Sequence, residues 1–108
     1  MQDALRKYMK SLLVMLGLLL PVTAIANITV HGEVARIYPS GNAVHFKLKN
    51  DQCGNTGQYY YFMLGTEVEK AWYALLLAAA NTGKPVRVSI PVCPTTSYVQ
   101  VNYIYQDY

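Results

Sequence analysis

The chain has 108 residues, nine Lys and Arg against six Asp and Glu, and a formal charge of +3. Four of those charges, Asp3, Arg6, Lys7 and Lys10, fall in the first 26 residues. From Asn27 on, six cations (Arg36, Lys47, Lys49, Lys70, Lys84, Arg87) face five acids (Glu33, Asp51, Glu67, Glu69, Asp107), a net of +1. So small an excess excludes a protein held to nucleic acid by bulk electrostatics, and the length suits a single small domain.

Residues 1–26 have the three parts of a cleavable export signal. Arg6, Lys7 and Lys10 form the basic start, 12–20 is an apolar run broken only by Gly17, and Ala24-Ile25-Ala26 is a small-residue cleavage site. A membrane anchor needs roughly 20 apolar residues, and Pro21 and Thr23 interrupt the run first. Cleavage after Ala26 is therefore expected, with no stable anchor left behind and no cysteine nearby to carry a lipid. Met9-Lys10-Ser11-Leu12 opens a complete signal by itself, so translation is expected to start at Met9. The expected location is the periplasm or the exterior, and the expected domain is 27–108.

Residues 28–38 are mostly β-formers, followed by the turn cluster Pro39-Ser40-Gly41-Asn42. In 43–49, Val44, Phe46 and Leu48 alternate with His45, Lys47 and Lys49, the period-2 pattern of a strand with one buried face. Pairing Tyr38 with Ala43 across the turn sets Ile37 beside Val44, Arg36 opposite His45 and Ala35 beside Phe46. Val30 and Val34 have the other parity from Ile37, which predicts a bulge at Gly32 or its neighbours and a long, bent first strand.

A polar loop, 50–57, carries Cys53, and 58–64 is a third strand in which Tyr60, Phe62 and Leu64 face inward while Tyr59 and Tyr61 face outward. Thr66 with Glu69 three residues on is a capping box, and Glu67 and Glu69 suit the positive end of a helix dipole. The helix stripe is Val68, Trp72, Leu75, Leu76 and Ala79, with Trp72 as packing, and Asn81-Thr82-Gly83 before Pro85 supplies the stop. Strand four is 86–90, a loop holds Cys93 and Pro94, and strand five is 98–105. In that last strand Val99, Val101, Tyr103 and Tyr105 share one face, and Tyr98, Gln100, Asn102 and Ile104 share the other.

The fold class is thus mainly β with one helix, in the order β-β-β-α-β-β after a signal peptide. A five-stranded OB-fold-like barrel has this order, as does an open sheet packed on one helix. The barrel better explains apolar residues on both faces of strand one. Export and an even cysteine count predict a disulfide between Cys53 and Cys93. Closing a loop of about 40 residues gains at most roughly 4 kcal/mol in the chain-entropy picture, valuable to so small a core. Neither cysteine has a second Cys or a His at ligand spacing, so no metal is expected.

The run Ala78-Ala79-Ala80-Asn81-Thr82-Gly83-Lys84-Pro85-Val86-Arg87-Val88 resembles the helix end and following strand in B subunits of the subtilase cytotoxin and typhoid toxin group, and His31-Gly32-Glu33-Val34 leading to Ser40-Gly41 is a second, shorter echo. The resemblance implies a secreted OB-fold subunit that assembles as a pentamer and binds cell-surface glycans. This chain is shorter than those subunits and has one cysteine pair where they have more. The position of their sugar-contacting serine falls on His31.

No nucleophile with a base and no carboxylate pair is visible, so neither catalysis nor a cofactor is expected. Nine tyrosines follow Ala26, namely Tyr38, Tyr59, Tyr60, Tyr61, Tyr73, Tyr98, Tyr103, Tyr105 and Tyr108, too many for one small core. The candidate binding residues are Arg36, Tyr38, His45, Lys47, Tyr59 and Tyr61, an aromatic platform with interleaved donors. Such a face suits a glycan or a protein partner, including a second copy of the chain; cross-strand aromatic pairs also stabilise a sheet with no ligand at all. The reading is an exported binding domain, for a glycan or alternatively for a protein, with no nucleic acid partner.

Overall fold

The computed structural model describes residues 27–54 and 57–108; the export signal expected at 1–26 lies outside the described residues. Among the described residues seven strands and one helix follow in the order β1 (Ile28–Gly32), β2 (Val34–Ser40), β3 (Ala43–Leu48), β4 (Tyr60–Met63), α1 (Glu67–Thr82), β5 (Val86–Ile90), β6 (Val99–Gln100) and β7 (Tyr103–Tyr105). They form a three-stranded sheet, β1-β5-β7, and a four-stranded sheet, β2-β3-β4-β6, antiparallel throughout except for the parallel β4–β6 pair. No helix among the described residues is long and apolar enough to cross a membrane.

Mainly β with one helix holds, but neither sheet closes into the expected five-stranded barrel. The reason lies in the first and last expected strands, each of which breaks. The first leaves one sheet for the other at Glu33, the last at Val101 and Asn102, where Asn102 N–H donates to the Ser89 carbonyl at 2.8 Å. The inward phase reverses once in each, at the break itself in the last strand and at a bulge just after the break in the first. The bulge falls at Ala35, between the Val34–Leu48 and Arg36–Lys47 pairs, rather than beside Gly32, and lets Val30, Val34 and Ile37 all turn toward the core. In the last strand Val99 and Val101 are buried but so is Ile104, while Tyr103 and Tyr105 are exposed, so the expected sharing of one face by all four odd positions fails at Asn102.

The hairpin is also two residues tighter than expected. Ser40 pairs with Ala43 and Tyr38 with His45, so Arg36 lies opposite Lys47 rather than His45. Gly41, at φ 59°, takes the first turn position, where a II′-type hairpin needs glycine. Pro39 can sit inside β2 because β2 is an edge strand. The shift is even, so the outward set of side chains is unchanged.

The alternation of β3 is realised, with Val44, Phe46 and Leu48 buried. They join Val30, Tyr60, Phe62, Val86, Val88, Ile90, Val99, Val101 and Ile104 in one core. Thr66 caps α1 with the capping box expected: its side chain accepts from Glu69 N–H, and Glu69 reaches back to Thr66 N–H at 3.0 Å. Gly83, left-handed at φ 71°, ends the helix. Leu76 and Ala79 are buried and Trp72 packs edge-on against Phe62 with ring centroids 5.6 Å apart. Val68, expected in the stripe, is 60% exposed, because it lies one turn before the helix meets the sheets. Cys53 and Cys93 are bonded, Cα atoms 5.5 Å apart, tying the loop before β4 to the loop after β5.

Candidate functional site

The outer face of the four-stranded sheet carries the candidate residues. Because β2, β3 and β4 pair in register, the odd–even alternation of each strand aims Arg36, Tyr38, His45, Lys47 and Tyr61 to one side. His45 stands opposite both Tyr38 and Tyr61. Its ring centroid lies 5.7 Å from Tyr38, 6.0 Å from Tyr59, 5.9 Å from Tyr61 and 5.4 Å from Tyr98. Tyr59 in turn is 6.1 Å from Tyr38 and 5.3 Å from Tyr98, the latter edge-on. Five rings thus form one cluster centred on a histidine. Their spacing is that of favourable aromatic pairs, yet Tyr38 and Tyr98 remain about half exposed.

All six expected residues come together here, and Tyr98 joins them. Its outward direction was visible in the alternation around Val99 and Val101. Its place beside Tyr59 was not, because that depends on β6 running parallel to β4, with Val99 N–H donating to the Tyr59 carbonyl at 3.1 Å, a pairing between segments some 40 residues apart in sequence.

The polar groups of the face are ordered. His45 Nδ1 donates to the Tyr38 carbonyl at 3.2 Å; a carbonyl only accepts, so Nδ1 carries a proton, and in the neutral form of the ring Nε2 is the acceptor. Arg36 Nη1 donates to the Tyr59 hydroxyl at 3.0 Å, which lifts the guanidinium above its ordinary value. Lys47 Nζ lies 4.6 Å from the centroid of the same ring, a cation–π contact.

Beside the cluster a groove of about 670 Å³ is lined by Arg36, Lys47, Lys49, Asp51, Gln58 and Tyr60 among others. Asp51 is engaged: one oxygen accepts from Cys53 N–H at 3.0 Å and the other from the Tyr60 hydroxyl at 2.6 Å. Burial first, then the bond and the charge of Asp51, hold the Tyr60 phenol well above its usual range. His31 lies apart from this face, on β1 of the three-stranded sheet, and is bonded to Gln52, which accepts from its backbone N–H at 2.8 Å and donates to its Nδ1 at 2.9 Å. Among the described residues no three His, Cys, Asp or Glu side chains gather into a metal-binding group.

No family model matches this chain, and neither a curated protein nor a solved structure does.

Proposed function

We propose that the chain is an exported small binding domain that recognises glycans on the outer face of its four-stranded sheet. The observation that carries this reading is the five-ring cluster of Tyr38, His45, Tyr59, Tyr61 and Tyr98, with Tyr38 and Tyr98 about half open to solvent, interleaved with Arg36 and Lys47. A sugar presents apolar C–H faces and a rim of hydroxyls. Tyrosine offers the complementary pair, a flat apolar body with a polar tip, and His45 Nε2, Arg36 and Lys47 supply an acceptor and donors. The disulfide suits an oxidising compartment, in keeping with the export signal. The OB-like reading belongs to the same proposal. Counting β1 with β2 and β6 with β7 as single bent strands, β3 and β4 are the second and third, whose face in OB-folds takes oligonucleotides and oligosaccharides. The likeness to toxin B subunits points the same way.

A glycan array probed with the purified protein tests this. Wild type should bind a defined set of glycans, and Tyr59→Ala and Tyr61→Ala should lose them while keeping the native melting transition. An array with no binding, or one that both variants reproduce, removes the reading.

A second reading, a protein-interaction domain that contacts a partner or its own copy, draws on a different observation. Residues 71–80 of α1 contain no charged residue, and Val68 and Leu77 are 60% and 44% exposed, whereas a surface helix ordinarily turns a charged face to water. Light scattering on the eluting protein tests it: a strict monomer that captures no partner from its source would rule it out.

A further inference from the structure

The two cations of the aromatic face are placed at some cost. Arg36 and Lys47 are direct cross-strand partners on β2 and β3, and like charges in that position repel. A carboxylate at either neighbouring position would relieve this, yet the ion pairs among the described residues are Lys49–Glu33, Lys70–Glu67 and Arg87–Asp107. Arg36 and Lys47 belong to none of them. Both instead converge on Tyr59, one on its hydroxyl and one on its ring. Both also line the groove, so two positive charges stand together on its wall.

The groove continues the same electrostatics. Lys49 follows Lys47 by two residues, about 7 Å along an extended chain, and its pair with Glu33 is solvent-exposed at 3.6 Å, so it is weak. Asp51 is the one carboxylate among the lining residues, and both its oxygens already accept hydrogen bonds. The volume of about 670 Å³ lies within the range of ligand clefts and leaves room for more than one sugar ring. A row of cations along a cleft that begins at an aromatic platform fits a ligand that repeats both an anionic group and a stackable ring.

We propose that the glycan held by this face is an acidic polysaccharide carrying carboxylate or sulfate groups on successive residues, its anions taken by Arg36 and Lys47 with Lys49 further along the groove, and its ring faces by Tyr59, Tyr61 and Tyr98. This rests on the glycan reading above and narrows it. Uronate and sulfate share the chemistry that matters here, an oxyanion that accepts from guanidinium and ammonium donors.

The test is a binding titration of the purified, disulfide-intact protein with four probes: polygalacturonate, dextran sulfate, neutral dextran and an oligothymidylate. It is run for wild type and for the double variant Arg36→Gln, Lys47→Gln. Wild type should bind at least one of the two acidic polysaccharides at least about tenfold tighter than dextran, with an affinity that falls as salt rises. The double variant should lose that preference. Because it removes the cross-strand repulsion, its urea midpoint should hold or rise, which separates lost binding from lost folding. Dextran binding equal to that of both acidic polysaccharides, or a double variant that keeps the preference, overturns the acidic assignment and leaves the glycan reading standing. Tighter binding of oligothymidylate than of either polysaccharide overturns it in favour of single-stranded nucleic acid, which cationic aromatic faces also take. No binding of any polysaccharide takes down both.

Discussion

Replacing both cysteines, Cys53→Ala with Cys93→Ala, is the perturbation whose size follows most directly from the fold. The bridge spans 40 residues of sequence, and constraining a loop of that length in the unfolded chain is worth about 4 kcal/mol at 25 °C in the chain-entropy account. A domain of this size has only about 4–12 kcal/mol in total, at roughly 0.05–0.15 kcal/mol per residue. The variant should therefore lose between a third and nearly all of its stability. In urea, with a slope of about 1–2 kcal/mol per molar for so small a protein, the midpoint should fall by about 2–4 M, followed by far-ultraviolet circular dichroism. The bridge also joins the loop that positions Asp51 against Tyr60 to the loop that leads into Tyr98, so a surviving folded fraction should bind ligand more weakly. A midpoint shift below about 0.5 M would refute the entropic reasoning, because it would mean that the unbridged chain is already as constrained by its core.

Three further outcomes are expected. Tyr60→Phe should cost about 1–2 kcal/mol at neutral pH, toward the lower end for a bond to a charged group because Asp51 is partly exposed. The folded-state pKa of Tyr60 is raised above its ordinary 10.0, so its contribution is complete below about pH 10 and is lost as pH rises beyond it. The stability gap between wild type and Tyr60→Phe should shrink in alkaline melts, and a gap unchanged through pH 11 would contradict the assignment. Gly32→Ala would set a Cβ 2.7 Å from the Lys49 carbonyl oxygen, a backbone atom with little room to move, and should cost about 1–3 kcal/mol by overpacking, read as a lower melting temperature. Thr66→Ala removes the acceptor of the capping box and should cost about 1 kcal/mol, which chemical denaturation would reveal.

What the sequence made legible was local. The capping box at Thr66, the stop at Gly83, the alternation of Val44, Phe46 and Leu48, and the inward Tyr60 and Phe62 are written in neighbours a few residues apart, and each is realised. The platform of Arg36, Tyr38, His45, Lys47, Tyr59 and Tyr61 was legible for the same reason, since the two-residue error in the hairpin preserved which side each residue faces. The register itself was misread because Pro39 and Ser40 look like turn residues, whereas an edge strand tolerates both. The phase reversal at Asn102 arises where the chain changes sheet and that at Ala35 from a bulge inside β2, and no local pattern announces either change of hydrogen-bonding partner. Tyr98 was missed as a member of this ring cluster on the same ground: only the parallel pairing of β6 with β4 brings it to Tyr59.

The sheet face around His45 is the proposed place of glycan binding. An NMR titration of the purified protein with oligogalacturonate tests it most directly. Saturable shifts confined to Arg36, Tyr38, His45, Lys47, Tyr59, Tyr61, Tyr98 and the adjoining groove are the predicted result. Shifts centred on α1 or on the separate tyrosines of the three-stranded sheet, Tyr103 and Tyr105, would contradict it.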